Sequence, residues 1–367
     1  MTEPRERISD NQIAFMMVLF EIGSTPLFFL GSKAKQDAWL AMLIAAGFGL
    51  LLVYLYIAIQ RKEPDRHLIG ILRTYFGRLL GSVLGAAYIL YFGYESMRNV
   101  RDFGELMSQT LLTETPLAVT MLIVVLIAAY GILKGAEVVF RLSEFLLPIL
   151  MISYGILILF LFITDIVHFR LLLPMMENGP GPVLKAAFPD IVSFPFGQTI
   201  VFLMFWHLCG ENGIPVKATV RAYVSVALFL IFMNALNIAV LGPTLAGISA
   251  LPFLQSVQLI SVANVFERLD VFVTLLIYIG LFMKMIVFYL CAVIGLSQWA
   301  AKARNRFVLP VGIVIFAASF LEPNYTYHIS FGFNVSLKLF TIFQIVIPAA
   351  LWIVMLLSKG KPAVRIQ

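Results

Sequence analysis

The chain has 367 residues, 61% hydrophobic and 13% charged, with a formal net charge of +6 and a mean hydropathy of +0.95. Soluble domains carry about 25% charged and roughly 45–50% apolar residues, so a soluble globular enzyme is excluded. Apolar stretches recur from residue 11 to residue 358, which also excludes a single anchor on a soluble body, and the basic surplus points to Lys- and Arg-rich cytoplasmic loops rather than to nucleic acid.

A bilayer core takes about 20 apolar residues per helix. Ten spans are predicted, at 11–31, 38–60, 80–108, 116–133, 143–164, 184–209, 216–242, 270–298, 307–321 and 335–358, the ninth being the shortest. The result is an all-α polytopic membrane protein, one integral membrane domain over 1–367. Arg5 and Arg7 precede a run that contains Glu21 and no small-residue cleavage pattern, so the first helix is expected to be retained rather than cleaved as a signal peptide. With the N-terminus cytoplasmic, 17 of the 26 Lys and Arg residues fall on the cytoplasmic side. One missed or extra helix would spoil that alternation, so both termini are placed inside. Between spans 2 and 3, Leu68, Ile69, Leu72, Tyr75, Phe76 and Leu79 recur at helical spacing among Arg66, Arg73 and Arg78, which predicts an amphipathic helix on the cytoplasmic surface. The connection 243–269 is Pro-bearing and half apolar and predicts short helices over the outer mouth.

Span 1 carries Gly23–Ser24–Thr25–Pro26 at mid-depth, and span 6 carries Phe194–Pro195–Phe196–Gly197–Gln198. A backbone break at that depth is tolerated only where protein or a watery cavity satisfies the freed groups. One such cluster is commonly a kink. Two, in the first helices of the five-helix halves 1–164 and 184–358, predict inverted repeats around a transporter-type midplane site. Freed amides suit a carboxylate and freed carbonyls suit an ammonium or a cation. Gly23, Ser24, Thr25, Phe196, Gly197 and Gln198 are therefore predicted to bind a small zwitterion such as an amino acid.

Span 3 places Tyr91, Glu95, Arg98, Arg101, Asp102, Glu105 and Gln109 largely on one side of a helix, with Arg98 and Asp102, and Arg101 and Glu105, four apart. Charges at membrane depth are costly and are expected to face the bundle interior. An ion-paired structural stripe and a proton or ion pathway both fit. Glu21 adjoins the first break; Lys284 in span 8 fits a substitute for a bound sodium ion, a tether, or a salt bridge to a carboxylate such as Glu21. Lys338 and Asp270 lie near helix ends and are expected to snorkel. Cys209 and Cys291 sit in apolar runs and imply no disulfide framework. His67, His168, His207 and His328 have no ligand spacing, and there is no phosphate-binding Gly loop, nucleophile elbow or HExxH. No metal site, cofactor or catalytic group is expected, and the chain is read as a non-enzyme.

Several motifs together resemble a known family. ISDNQ at 8–12, EIGSTPLF at 21–28, KQDAWLAMLIA at 35–45, RDFGELMSQTLLTETPL at 101–117, YGILKGAEVVFRLSEFLLP from 130, FPFGQTIVFLM at 194–204 and FERLDVFVTLLIYIGLFMKMIVFY at 266–289 resemble the B subunits of endospore nutrient germinant receptors, the GerAB-type spore germination proteins. The resemblance implies a ten-helix, LeuT-like fold of the amino acid–polyamine–organocation superfamily. It also implies the inner membrane of a bacterial spore, A and C subunits as partners, and a small nutrient ligand such as an amino acid or sugar. Carried over by position, the pocket falls at Gly23 and its neighbours, at Phe196–Gln198 with Ile200 and Val201 beyond, and at Lys284 and Val287. Where the resemblance leads one to expect FPFGE, this chain has Gln198, a neutral amide. An autonomous cation-coupled amino-acid transporter of the same fold is the alternative.

Overall fold

The computed structural model describes residues 6–209, 213–260 and 269–358. Arg5, Arg268, Lys359, Lys361 and Arg365, counted in the charge asymmetry, lie outside the described residues. Among the described residues the regular structure is entirely helical: α1 Asp10–Ile22, α2 Ala38–Lys62, α3 Leu68–Tyr75, α4 Gly77–Thr110, α5 Leu117–Lys134, α6 Ala136–Ile163, α7 Pro180–Ala186, α8 Val216–Ile248, α9 Pro252–Gln258, α10 Leu269–Ala300, α11 Asn305–Ala318, α12 Tyr325–Phe331, α13 Leu337–Thr341 and α14 Ile347–Leu357, with 3-10 and π turns between some of them.

Seven helical stretches among these residues are long and apolar enough to cross a membrane: Ser32–Lys62, Leu117–Lys134, Ala136–Ile163, Pro180–Met204, Val216–Ile248, Leu269–Ala300 and Tyr325–Leu357. They take in the second, fourth to eighth and tenth predicted spans. The other three fall short for separate reasons. The first is cut by its break, leaving the 13 residues of α1. The third, α4, is long but carries the charge stripe. The ninth, α11, has 14 residues, about 21 Å at a rise of 1.5 Å per residue.

Sequence patterning explains the packing. In α5, Met121, Val124, Val125, Ala128, Ala129 and Ile132 form the buried stripe, while Leu122, Ile123, Leu126 and Ile127 are exposed. A helix apolar on both faces needs an apolar solvent on its outer one, which marks that face as lipid-facing. α1 lies at the centre against α6, α8 and α10, and α4 runs along α10. The start of α1 is held by a capping box in which Ser9 accepts from the Gln12 amide and the Gln12 side chain accepts from the Ser9 amide.

The expected amphipathic helix is shorter than its pattern: α3 ends at Tyr75, with Leu68, Ile69, Ile71 and Leu72 buried and packed on α4, whereas Leu79 falls in α4 and is exposed. In the connection expected to hold short helices, α8 continues past a kink at Gly242 to Ile248 and α9 follows; 261–268 lie outside the described residues. The tenth span begins ten residues before its predicted start, at Tyr325, because the Asn324 side chain caps it by accepting from the Tyr327 amide at 2.8 Å. At one end of the bundle Arg304 grips Glu6 through two hydrogen bonds of 2.7 Å. Glu6 also accepts from the Ala136 amide at 3.1 Å, and the Ile8 amide donates to Leu208 O at 3.1 Å, so the N-terminal segment straps that end together.

Candidate functional site

Close packing sets the first break. α1 stops at Gly23, where φ is +24°, and a Cβ there would lie 2.6 Å from both Lys284 Cδ and Phe20 O. From α10, Gly280 faces Gly23 O so closely that a Cβ would come within 2.6 Å. Glycine at both positions lets α10 reach the broken backbone. The chain continues through Ser24 into the 3-10 turn Thr25–Leu27, and Thr25 Oγ1 donates back to Glu21 O at 2.6 Å, satisfying one carbonyl beside the break.

The sixth span is broken more extensively. α7 passes into a π turn at Ala187–Ile191 containing extended Phe188, and then into a nine-residue 3-10 helix, Phe196–Met204, with every residue buried. A 3-10 run beyond three or four residues is uncommon and often marks a hinge. The tenth span has π turns at Gly332–Ser336 and Ile342–Val346. In the second of these, Gln344 fills the space beside Gly197, donates to the Tyr91 hydroxyl at 2.9 Å, and accepts at its backbone oxygen from Tyr56 at 2.6 Å.

Between the two breaks, α4 and the first of these π turns line a cavity of about 40 Å³. One water occupies roughly 10–15 Å³ of such space, so it holds about three. Its wall takes Ser24 and Phe28 from the first span, Glu95, Arg98, Asn99 and Asp102 from α4, Phe194 and Gln198 from the sixth, and Gly332, Phe333, Ser336, Leu337 and Phe340 from the tenth. The Phe28 ring meets Phe194 and Phe333 edge-on at 5.9 and 5.4 Å.

An ion-paired network adjoins this wall. Arg98 donates to His328 O at 3.0 Å and approaches Glu322 at 3.4 Å. Arg101 pairs with Glu105 at 2.7 Å and donates to Ser319 O at 3.0 Å. His328 sits between Asp102, at 3.1 Å from Nε2, and Glu322, which contacts Nδ1. A carboxylate thus flanks each ring nitrogen, an arrangement that suits a proton on both. Burial alone pushes the Glu322 carboxyl up, but His328 and Arg98 hold it below its ordinary range.

Of the predicted ligand residues, Ser24 and Gln198 reach the cavity wall, with Glu95, Arg98 and Asp102 of the charge stripe. Gly23 and Thr25 shape the backbone beside it. Phe196 packs on Tyr223, ring centroids 5.8 Å apart, and Ile200, Val201 and Val287 are fully buried in the core. Lys284, outside the wall, places Nζ 4.5 Å over Phe194 and 5.2 Å over Phe20, buried and with no hydrogen-bond partner among the described residues. Phe28, Asn99, Glu322, His328 and the Gly332–Ser336 turn also line or adjoin the site, beyond the residues expected there. Asn99, one turn after Glu95 on the same face, was legible by spacing; the others needed the fold.

The family described as spore germination protein matches residues 7–326. The chain belongs to that family. Spore germination protein KB of Bacillus subtilis (strain 168) is 31% identical over 360 residues, 97% of this chain and 96% of that one. Spore germination protein XB of Bacillus anthracis is 23% identical over 310 residues, 80% of this chain and 83% of the relative. Among solved structures, MhsT in complex with L-phenylalanine matches with a TM-score of 0.66 at 13% identity, covering 96% of this chain and 99% of MhsT. That likeness is one of fold, and it shows the LeuT-like architecture that the family resemblance implied for this spore germination protein.

Proposed function

We propose that this chain is the B subunit of a spore germinant receptor, binding a small nutrient, an amino acid, in the cavity between its broken first and sixth spans. Binding is passed to A and C subunits and ends in ion release. In this reading the protein sits in the inner membrane of the spore with ten spans and both termini cytoplasmic, and the halves 1–164 and 184–358 are inverted repeats.

The observation that carries the proposal is the cavity itself, which lies where two interrupted helices meet and is walled by charged and aromatic side chains. Such a meeting point is the expected place for a ligand in this kind of fold. The ligand in the MhsT structure, L-phenylalanine, supports an amino acid as the ligand class. A cavity with room for about three waters is too small for even a small amino acid, so the nutrient enters only as wall residues such as Phe28, Phe194 and Phe333 move. Occupancy and conformation are thereby linked, and the ligand biases the equilibrium by its difference in affinity for the two states.

The alternative, an autonomous cation-coupled amino-acid transporter, draws on the same fold and on the buried charges Glu21, Glu95, Arg98, Arg101, Asp102, Glu105 and Lys284. The neutral Gln198 at the sixth break favours the receptor. Purified chain in liposomes separates the two: without partner subunits a labelled amino acid is expected to bind without accumulating. Sustained uphill uptake would refute the receptor reading.

A further inference from the structure

The cavity wall has a one-sided hydrogen-bonding demand. Gln198 donates through Nε2 to Glu95 Oε2 at 3.0 Å; a carboxylate oxygen only accepts, so this contact fixes the amide orientation and leaves Gln198 Oε1 pointing elsewhere. Asn99 donates through Nδ2 to Glu95 O at 2.8 Å, which fixes its amide in the same way. Glu95 Oε1, Asn99 Oδ1 and Gln198 Oε1 are all buried and have no hydrogen-bond partner among the described residues. All three are acceptors, on three residues that line one cavity, and Glu95 is only 3% exposed.

The charges point the same way. Arg98 is engaged by Glu322, Arg101 by Glu105, and His328 by Asp102 and Glu322. Lys284 makes no ion pair among the described residues, and its Nζ is buried without a hydrogen-bond partner. Among the described residues no ion pair is formed by Glu95, whose one side-chain partner is the neutral Gln198 amide. Glu95 thus has no cation in direct contact, and the cavity beside it is where one can enter. The negative charge that the sixth break lacks at Gln198 is thus present one hydrogen bond away, on α4.

We infer that Glu95 is the residue that selects the ligand, accepting hydrogen bonds from its ammonium group together with Asn99 Oδ1 and Gln198 Oε1. The ligands that fit are small primary amines, α-amino acids among them, rather than neutral sugars or bare anions. The Phe28 and Phe194 rings complete the wall and favour a cation over an anion beside them. The inference rests on the cavity being the nutrient site.

The test uses the full-length chain in lipid nanodiscs. Binding is measured by titration against the standard L-amino acids, their N-acetyl derivatives and D-glucose, for the wild type, Glu95→Gln, and the cavity-filling Ser336→Leu. At least one free amino acid is expected to bind, with N-acetylation and Glu95→Gln each weakening it on the order of 10- to 100-fold, the span of a charge-assisted hydrogen bond. The N-acetyl comparison on wild-type protein needs no variant to fold. Equal affinity for an N-acetyl derivative, unchanged affinity in Glu95→Gln, binding of D-glucose alone, or no amino acid bound overturns the inference. Binding that Ser336→Leu abolishes but N-acetylation leaves alone overturns it while sparing the cavity. Binding indifferent to Ser336→Leu removes the cavity as the nutrient site and the reading beneath.

Discussion

Gly280→Ala adds one methyl group at the point where α10 meets the first break. The new Cβ would lie 2.6 Å from Gly23 O, 3.1 Å from its Cα and 3.2 Å from its C, all backbone atoms that no rotamer change can move aside. Ordinary contact begins near 3.5 Å, so α10 and the break must separate by about 0.9 Å. Overpacking of this kind costs about 1–3 kcal/mol, against which alanine returns close to 1 kcal/mol of helix propensity. The net destabilisation is therefore small, on the order of 1 kcal/mol, while the geometry of the break is altered directly. Spores carrying the variant are expected to hold near-normal amounts of the protein in the membrane fraction by immunoblot. They are also expected to need on the order of tenfold more nutrient for half-maximal germination, followed as the fall in absorbance, since a shift of about 1 Å at a binding site commonly costs that much or more. Gly155→Ala, where nothing lies within 4 Å of the added Cβ, is the control and leaves the response unchanged. A Gly280→Ala spore with normal protein and an unshifted dose response would refute the claim that the break forms the site.

Arg98→Ala removes a guanidinium that bridges Glu322 and the His328 carbonyl and leaves a carboxylate with 8% side-chain exposure short of a partner. Breaking such a buried pair costs about 3–5 kcal/mol, so membrane-fraction protein and its unfolding temperature fall together; a normal level with the response lost would make the stripe a pathway instead of a brace. His67, in the connection before α3, faces His207 with ring centroids 5.5 Å apart, and burial pushes its imidazole down to about 4. Its unfolded form takes a proton first, so its contribution to stability is complete above about pH 6.5 and is lost as pH falls toward 4, by up to about 1.4 kcal/mol per unit. Thermal unfolding of nanodisc-held protein across that range is expected to be less acid-sensitive in His67→Gln than in the wild type, and equal slopes would sink the assignment.

What the sequence made legible was local. Both breaks show because Gly and Pro mark backbone that cannot continue a helix, and the α4 stripe shows because three- and four-residue steps place Glu95, Arg98, Asp102 and Glu105 on one side. Their partners do not show. Glu322 and His328 are more than 200 residues from Arg98, and no spacing rule reaches that far. His328 reads as a lone histidine until the chain folds it between Asp102 and Glu322. Gly332 is equally silent: its need for glycine arises because the Arg98 guanidinium fills the space of a Cβ there. The start of the tenth span was obscured by Glu322–Pro323–Asn324, which has the composition of a loop, although its Asn324 is the cap that starts a helix. The low overall charge identified a membrane protein, but which buried charges neutralise one another is a property of the tertiary structure.

α4 presents two functions on adjacent turns. Glu95 and Asn99 face the cavity alone, whereas Arg98 and Asp102 face both the cavity and the ion-paired cluster at Glu322 and His328. Glu95 lies three residues from Arg98, which pairs with Glu322. On the proposed reading, an ammonium group beside Glu95 would sit within one helical turn of the Arg98–Glu322 pair, next to the link between α4 and the segment that leads into α12. That placement would allow the differential interaction a receptor requires, because a ligand shifts a conformational equilibrium only through contacts that differ between its two states. It also sets the order in which damage is expected: loss of Glu95 removes recognition and leaves the brace intact, while loss of Arg98 loosens the brace on which recognition would act.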